Sequence, residues 1–253
     1  MNRYDLSGRK AVITGGATGI GYATAERFLK SGADVEIWAR NVKTLEAAQK
    51  SLGKFGKITY SSVDVSDWDQ VRAGAEKAIK AHGQIDILFN NAGLALDVVP
   101  MLDMSIENWK NTVAINLDSV FFCCRAFVPA MVERGYGRVI STASQAAKDG
   151  NPNQAAYSAA KAGIMAMTKS FGKELATTGV LVNCICPTVF DTPLFRATQK
   201  EAPGPMQASI DKIAMKRPGL PEEAAALVTW LASEDCSFNT GFTFDLSGGR
   251  STY

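Results

Sequence analysis

Histidine is nearly absent: there is one, His82, in 253 residues. It stands in Ala81-His82-Gly83, where it reads as a helix-end residue and not a catalyst. The five cysteines form no Cys-x-x-Cys pair, so the chain lacks the donor set of a zinc site. Their odd number, with Cys123-Cys124 adjacent and Cys184-x-Cys186 alternating, fits reduced thiols packed as small hydrophobes in a cytoplasmic protein. Charge of one sign is also missing. Lys and Arg total 27 against 25 Asp and Glu, a net charge of +2, and they are scattered, which excludes the basic stripe of a nucleic-acid surface. No unbroken apolar run reaches the roughly 18–20 residues of a membrane span. The opening MNRYDLSGRK has no apolar core of a signal peptide. Internal repeats and Pro/Ser-rich linkers are absent too.

What the chain does have is alternation. Strand-like runs at Lys10–Thr14, Asp34–Trp38, Ile58–Ser62, Ile85–Phe89, Arg138–Ser141, Val180–Cys186 and Thr243–Leu246 are separated by helical patterns. The helical patterns fall at Ile20–Lys30, Lys43–Leu52, Asp67–Ala81 (capped by Ser66), Ile106–Arg134, Ala155–Thr177 and Glu222–Ala232. Such a series predicts βαβ units, a parallel sheet and helices on both faces, as one doubly wound domain over 1–253. A hydrophobic content of 46% supplies the core. The one irregular stretch, 188–220, holds four of the nine prolines and reads as a functional insertion at the substrate.

The first strand runs straight into Thr14-Gly15-Gly16-Ala17-Thr18-Gly19-Ile20-Gly21 and then a helix. Backbone N–H groups at a helix start attract an anion, and glycines let a phosphate approach. The residues alone also fit an ordinary tight turn. Their place after the first strand of an α/β series favours a dinucleotide. A carboxylate at the end of the second strand would bind a ribose 2′-hydroxyl, but the sequence there is Ile37-Trp38-Ala39-Arg40. Arg40 suits a 2′-phosphate, so NADP(H) is favoured, with NAD(H) possible.

A second pattern is Ala156-Tyr157-Ser158-Ala159-Ala160-Lys161. Tyr and Lys four apart share one helix face, about 5–6 Å apart at Cβ. A nearby ammonium favours phenolate and would bring the tyrosine towards a useful pKa.

In chain order, the glycine loop at 14–21, Asn90-Asn91-Ala92-Gly93, Ser144 and Tyr157-x-x-x-Lys161 resemble the short-chain dehydrogenase/reductase family over essentially the whole chain. The resemblance implies a Rossmann-type sheet in the order 3-2-1-4-5-6-7 and NAD(P)-dependent interconversion of a secondary alcohol and a ketone. It assigns the cofactor to Thr14, Gly15, Thr18, Gly19, Ile20, Gly21, Arg40, Asp64, Val65, Asn90, Ala92, Gly93, Pro187, Phe190 and Thr192, with Tyr157 and Lys161. It assigns catalysis to Asn116, Ser144, Tyr157 and Lys161. The family's Pro-Gly is Pro187-Thr188 here.

The polar segment between Ser144 and Tyr157 should border the substrate through Ala146, Lys148, Asn151 and Gln154, beside Ser144 and Tyr157. Lys148 is a carboxylate partner or a solvated charge. A small polar substrate follows: a sugar, a polyol or, by likeness to the 2-keto-3-deoxy sugar-acid dehydrogenases, a deoxy sugar acid. The alternatives are reduction of a 3-oxoacyl carrier protein and a cofactor-sensing binding protein. The resemblance also implies a homotetramer or dimer joined through the helices near 106–134 and 155–177. Phe121, Phe122 and Phe127 fit either that interface or the core, and Arg250 or Tyr253 of the tail is placed to complete a neighbouring copy's pocket.

Overall fold

A computed structural model of the chain describes residues 4–96 and 98–251. Seven strands form one parallel sheet: β1 Lys10–Thr14, β2 Asp34–Ala39, β3 Ile58–Ser62, β4 Ile87–Asn90, β5 Gly137–Thr142, β6 Val180–Pro187 and β7 Thr243–Leu246. Their order is β3-β2-β1-β4-β5-β6-β7, as the resemblance implied. The helices are α1 Gly19–Lys30, α2 Val42–Leu52, α3 Trp68–His82, α4 Ile106–Val113, α5 Ser119–Arg134, α6 Ala146–Asp149, α7 Ala155–Glu174, α8 Pro193–Glu201, α9 Pro203–Asp211 and α10 Pro221–Ala232.

Adjacent strand residues point to opposite faces, and each face builds its own core. Ile13, Ile37, Phe89, Ile140 and Ile185 join Phe28, Leu45 and Val228 on one side. Val12, Trp38, Leu88, Val139 and Cys184 join Val71, Phe127 and Ile164 on the other. All five cysteines are free and buried, packed in the manner expected of small hydrophobes. Phe127 is core and stacks near Trp38, whereas Phe121 is exposed on the same helix and Phe122 rests against Trp68.

Several elements differ from expectation. The cap of α3 is Asp67, whose carboxylate accepts from the N–H groups of Asp69 and Gln70; the Ser66 hydroxyl instead donates to Asp64. The reason is reach, since Asp67 is the residue immediately before the first helical turn. The stretch 188–220 is not irregular, because α8 and α9 occupy much of it. Pro193 and Pro203 stand at helix starts, where a missing N–H is harmless, so these prolines begin helices instead of breaking them.

The stretch Ile106–Arg134 is not one α-helix either, for residues 114–118 widen into a π-helical turn. An 18-residue window within it has a mean hydropathy of 1.4, enough by length and composition for a span although it holds no unbroken apolar run of that length. Its apolar side is taken up by the core through Val120, Cys124, Phe127 and Met131.

His82 ends α3, and its Nε2 lies 3.1 Å from Glu36 Oε2. The β2 carboxylate is thus buried at mid-strand, where it also accepts from Trp38 Nε1 and Ser61 Oγ, and it is not at the strand tip. Helix α7 buries Ala156, Ala160, Lys161, Ile164 and Thr168, a stripe of mostly small residues that carries one amine inward.

Candidate active site

The sheet order reverses between β1 and β4, which places a crevice at the carboxyl ends of the strands. A cavity of about 300 Å³ lies there. It is walled by the glycine loop (Gly15, Thr18, Gly19, Ile20), the segment after β4 (Asn91, Ala92, Gly93), the end of β5 (Thr142, Ala143, Ser144), Tyr157, and the start of the insertion (Pro187, Thr188, Phe190, Thr192).

Thr14 joins two of these walls, its hydroxyl oxygen accepting from the N–H groups of Asn91 and Ala92, each at 3.0 Å. Asn91 returns its amide to the carbonyls of Thr14 and Gly15. Asn91 was not among the residues assigned to the site. Its clamp depends on two segments 77 residues apart meeting, which no local pattern reveals.

The glycine loop turns into α1 at Gly19, whose φ of +55° is one that side chains rarely adopt. Thr18 precedes α1 in extended conformation without bonding the helix N–H groups through its side chain. Gly19 and Ile20, at the start of α1, line the cavity, so the helix N-terminus lies where the phosphates of a dinucleotide would be attracted.

The other assigned residues fall into two groups. Gly21 is buried, and a side chain there would strike the Gly15 carbonyl at 2.3 Å. Asn90 and Val65 are buried, and Asn90 donates towards Ser141 and Cys124, so it props the wall from behind. Asp64 accepts from Ser66 and lies 3.8 Å from Arg40, whose side chain is 64% exposed beyond the end of β2.

Below the cavity lies a polar cluster. Lys161 is 2% exposed, and its Nζ donates to the Thr142 carbonyl at 2.7 Å. Asn116 sits in the π-turn, and its amide donates to the carbonyls of Leu94 and Thr112, both at 2.8 Å. Its Oδ1 is buried with no partner among the described residues. Gly93 passes between the two, and a Cβ there would meet Asn116 Oδ1 at 2.6 Å and Lys161 Nζ at 3.0 Å. An amine and an unpaired carbonyl oxygen this close suit a bridging hydroxyl or water.

The electrostatics differ from the simple expectation that the ammonium lowers the tyrosine. Burial raises the Tyr157 phenol above its usual range, although a hydrogen bond from Ser144 works in the other direction. Burial also pushes Lys161 down to about 8. Desolvation is the largest cause at both groups.

On the substrate side, Ser144 and Tyr157 face the cavity, and Ala146 is buried behind it. The structure does not bring Lys148, Asn151 and Gln154 to its wall. Lys148 is neither solvated nor free, because it pairs with Asp245 at 2.7 Å. Asn151 donates to Gln154 Oε1. Arg250 folds back onto Asp149 of its own chain, and Tyr253 lies outside the described residues.

The depressed Lys161 pKa gives a signed expectation. Between pH 8 and 10.5 the unfolded chain holds this proton and the folded chain does not, so folding gains as pH rises. Denaturant unfolding of the wild type and Lys161→Met across that window should move the difference in the wild type's favour. The gain is up to about 3 kcal/mol at about 1.4 kcal/mol per pH unit, and a flat or opposite trend contradicts it.

The comparisons with known proteins agree with this geometry. The family model for short chain dehydrogenase matches residues 9–203. A 2-dehydro-3-deoxy-L-rhamnonate dehydrogenase (NAD(+)) of Sphingomonas sp. (strain SKA58) is 42% identical over 98% of this chain and 97% of its own. A 3-oxoacyl-[acyl-carrier-protein] reductase of Chlamydia pneumoniae is 37% identical over 96% and 97%. The crystal structure of gox2181 superposes with a TM-score of 0.95 at 30% identity, covering 98% of each chain. With a sheet, a crevice and a sequence that match over almost its whole length, this chain belongs to the short chain dehydrogenase family and is an oxidoreductase that works with a nicotinamide cofactor.

Proposed function

We propose that the protein interconverts a secondary alcohol and a ketone on a small polar substrate, a sugar or deoxy sugar acid, with Tyr157 as acid and base. The observation that carries this reading is that Ser144 and Tyr157 line the crevice together with Gly93, while Asn116 Oδ1 and Lys161 Nζ close on Gly93. The bound nicotinamide supplies or accepts the hydride.

The chain's own residues handle the proton and the orientation. Ser144 donates to the substrate oxygen and steadies charge developing there. Tyr157 Oη gives its proton to a carbonyl oxygen or takes one from an alcohol. Lys161 holds a positive charge under the phenol and favours phenolate when the alcohol is oxidised. Asn116 Oδ1 anchors a proton path out from Lys161. Gly15, Thr18, Gly19 and Ile20 would hold the phosphates of the cofactor, and Ala92, Gly93, Pro187 and Thr192 would hold its nicotinamide half. The whole chain acts as one domain, with the insertion 188–220 over the substrate, and its reduced cysteines fit a cytoplasmic setting.

The deoxy sugar-acid reading is supported by the 42% identical relative, named for such a substrate. Reduction of a 3-oxoacyl carrier protein is the second reading, supported by the 37% identical relative of that name. For the cofactor, the exposed guanidinium of Arg40 and the absence of a carboxylate at the end of β2 favour NADP(H). The 42% identical relative is named for NAD(+), so NAD(H) stays within the proposal.

We also infer a homotetramer. A concavity of about 890 Å³, larger than the crevice, runs between α5 and α7 and includes Phe121, Val128, Met167 and Phe171. A second copy would cover it. Sedimentation should show a tetramer or at least a dimer, and a monomer at micromolar concentration overturns this.

Tyr157→Phe should lower kcat about a hundredfold or more while leaving cofactor binding intact. Retained turnover removes the assignment. A panel of sugars, sugar acids and 3-oxoacyl thioesters with both cofactors should give its highest kcat/KM for a sugar acid with NADP(H). A higher value for the thioesters selects the second reading, and a higher value with NAD(H) overturns the cofactor preference.

A further inference from the structure

Beyond the ends of β5 and β6 the backbone ladder stops, yet both walls of the crevice continue there. Its last rungs are Ala143 N–H to the Ile185 carbonyl and Gln145 N–H to the Pro187 carbonyl, at 2.8 and 2.9 Å. From that point, among the described residues, side chains tie one wall to the other, and they form a closed circuit. Gln145 Nε2 donates to Asp149 Oδ1 at 2.8 Å. Arg250 donates to Asp149 Oδ2 from Nε at 2.9 Å and from Nη2 at 2.6 Å. Arg250 Nη1 then reaches Thr188 Oγ1 at 3.3 Å. Thr188 follows Pro187 directly, and its N–H donates to the Leu246 carbonyl at 3.1 Å. Gln145 follows Ser144, and Thr188 itself lines the cavity.

We propose that Arg250 is a positioning residue which, through Asp149 and the Thr188 hydroxyl, fixes the spacing of the Ser144 and Pro187–Thr188 walls and so sets how the substrate fits. The proposal rests on the reading that Ser144 and Tyr157 face the reacting oxygen. Three features support a device rather than a chance surface pair. The Arg250 side chain is only 8% exposed, although its partner Asp149 is 33% exposed, so the guanidinium is held in one place against the protein. A planar guanidinium serves Asp149 on one edge and Thr188 on the other, which a lysine cannot do. The neighbouring pair of Lys148 and Asp245, with Lys148 also donating to Ser251, fastens the same tail to the same helix α6.

The acid side agrees with this. Burial alone would raise Asp149, but the hydrogen bonds from Gln145 and Arg250 hold its carboxyl below the usual range. Lys212 adds attraction from the far side of the insertion. Asn151 Oδ1, 3.4 Å from Arg250 Nη2, completes the surroundings of the guanidinium.

The test uses the full chain with Arg250→Ala, Thr188→Val, the double variant and Arg250→Lys. Arg250→Ala and Thr188→Val should each raise the substrate KM on the order of tenfold, the scale of a small misplacement of a reacting group. The dissociation constant of the reduced cofactor should rise by a smaller factor than the substrate KM, and the double variant should be no worse than Arg250→Ala. Arg250→Lys should not restore KM. Amide hydrogen exchange should quicken at both 144–150 and 187–192 in Arg250→Ala. Multiplying effects, an unchanged KM in Thr188→Val, or faster exchange confined to 246–251 overturns the proposal. If Arg250→Ala does not fold, Thr188→Val leaves the ion pair whole and decides the case. If no alcohol is turned over by the wild type, the functional reading fails, and the exchange arm still decides the link.

Discussion

The site depends on one buried amine. Lys161 lies inside the protein with a carbonyl for a partner and, among the described residues, no carboxylate paired with it, and its pKa is depressed to about 8. An unpaired charge in such a place is costly, so the fold must supply dipoles in the right places. It does so with the Thr142 carbonyl at the end of β5 and with Asn116, which a π-turn leaves with a free Oδ1. Gly93 passes between them because no side chain fits there. The amine, the amide and the glycine come from three separate elements, and each constrains the other two.

The sheet order explains why these elements meet. Reversal between β1 and β4 splays the helices apart at one end, and the glycine loop and the segment after β4 form the two lips. Thr14 and Asn91 bond those lips together. Small residues along α7 let it lie close against the sheet, so Lys161 points to the strand ends and Tyr157 to the crevice. The same arrangement places Ser144, at the end of β5, against the start of the insertion after β6.

Much of this was legible in the sequence because it is periodic. Alternating apolar residues such as Val12 and Ile13, or Ile37 and Trp38, announce buried strands, and all seven strands fell where the pattern placed them, within a few residues. The spacing of Tyr157 and Lys161 and the glycines at 15, 19 and 21 are equally local. What escaped was everything decided by distant contacts. The π-turn at Asn116 has no local signature. The partners of Lys148 and Arg250 could not be named because Asp245 and Asp149 are about a hundred residues away from them. The direction of the pKa shifts at Tyr157 and Lys161 could not be read from spacing either, since spacing says nothing of the burial that is their largest cause.

The central claim is that this crevice passes hydride directly between a carbinol carbon and the cofactor while the tyrosine handles the proton. The most direct test is isotopic. A deoxy sugar acid deuterated at its carbinol carbon is oxidised in ordinary water, and the reduced nicotinamide is examined by NMR. The account predicts one deuterium on ring carbon 4, on a single face and undiluted by solvent. Deuterium lost to water, or spread over both faces, contradicts it.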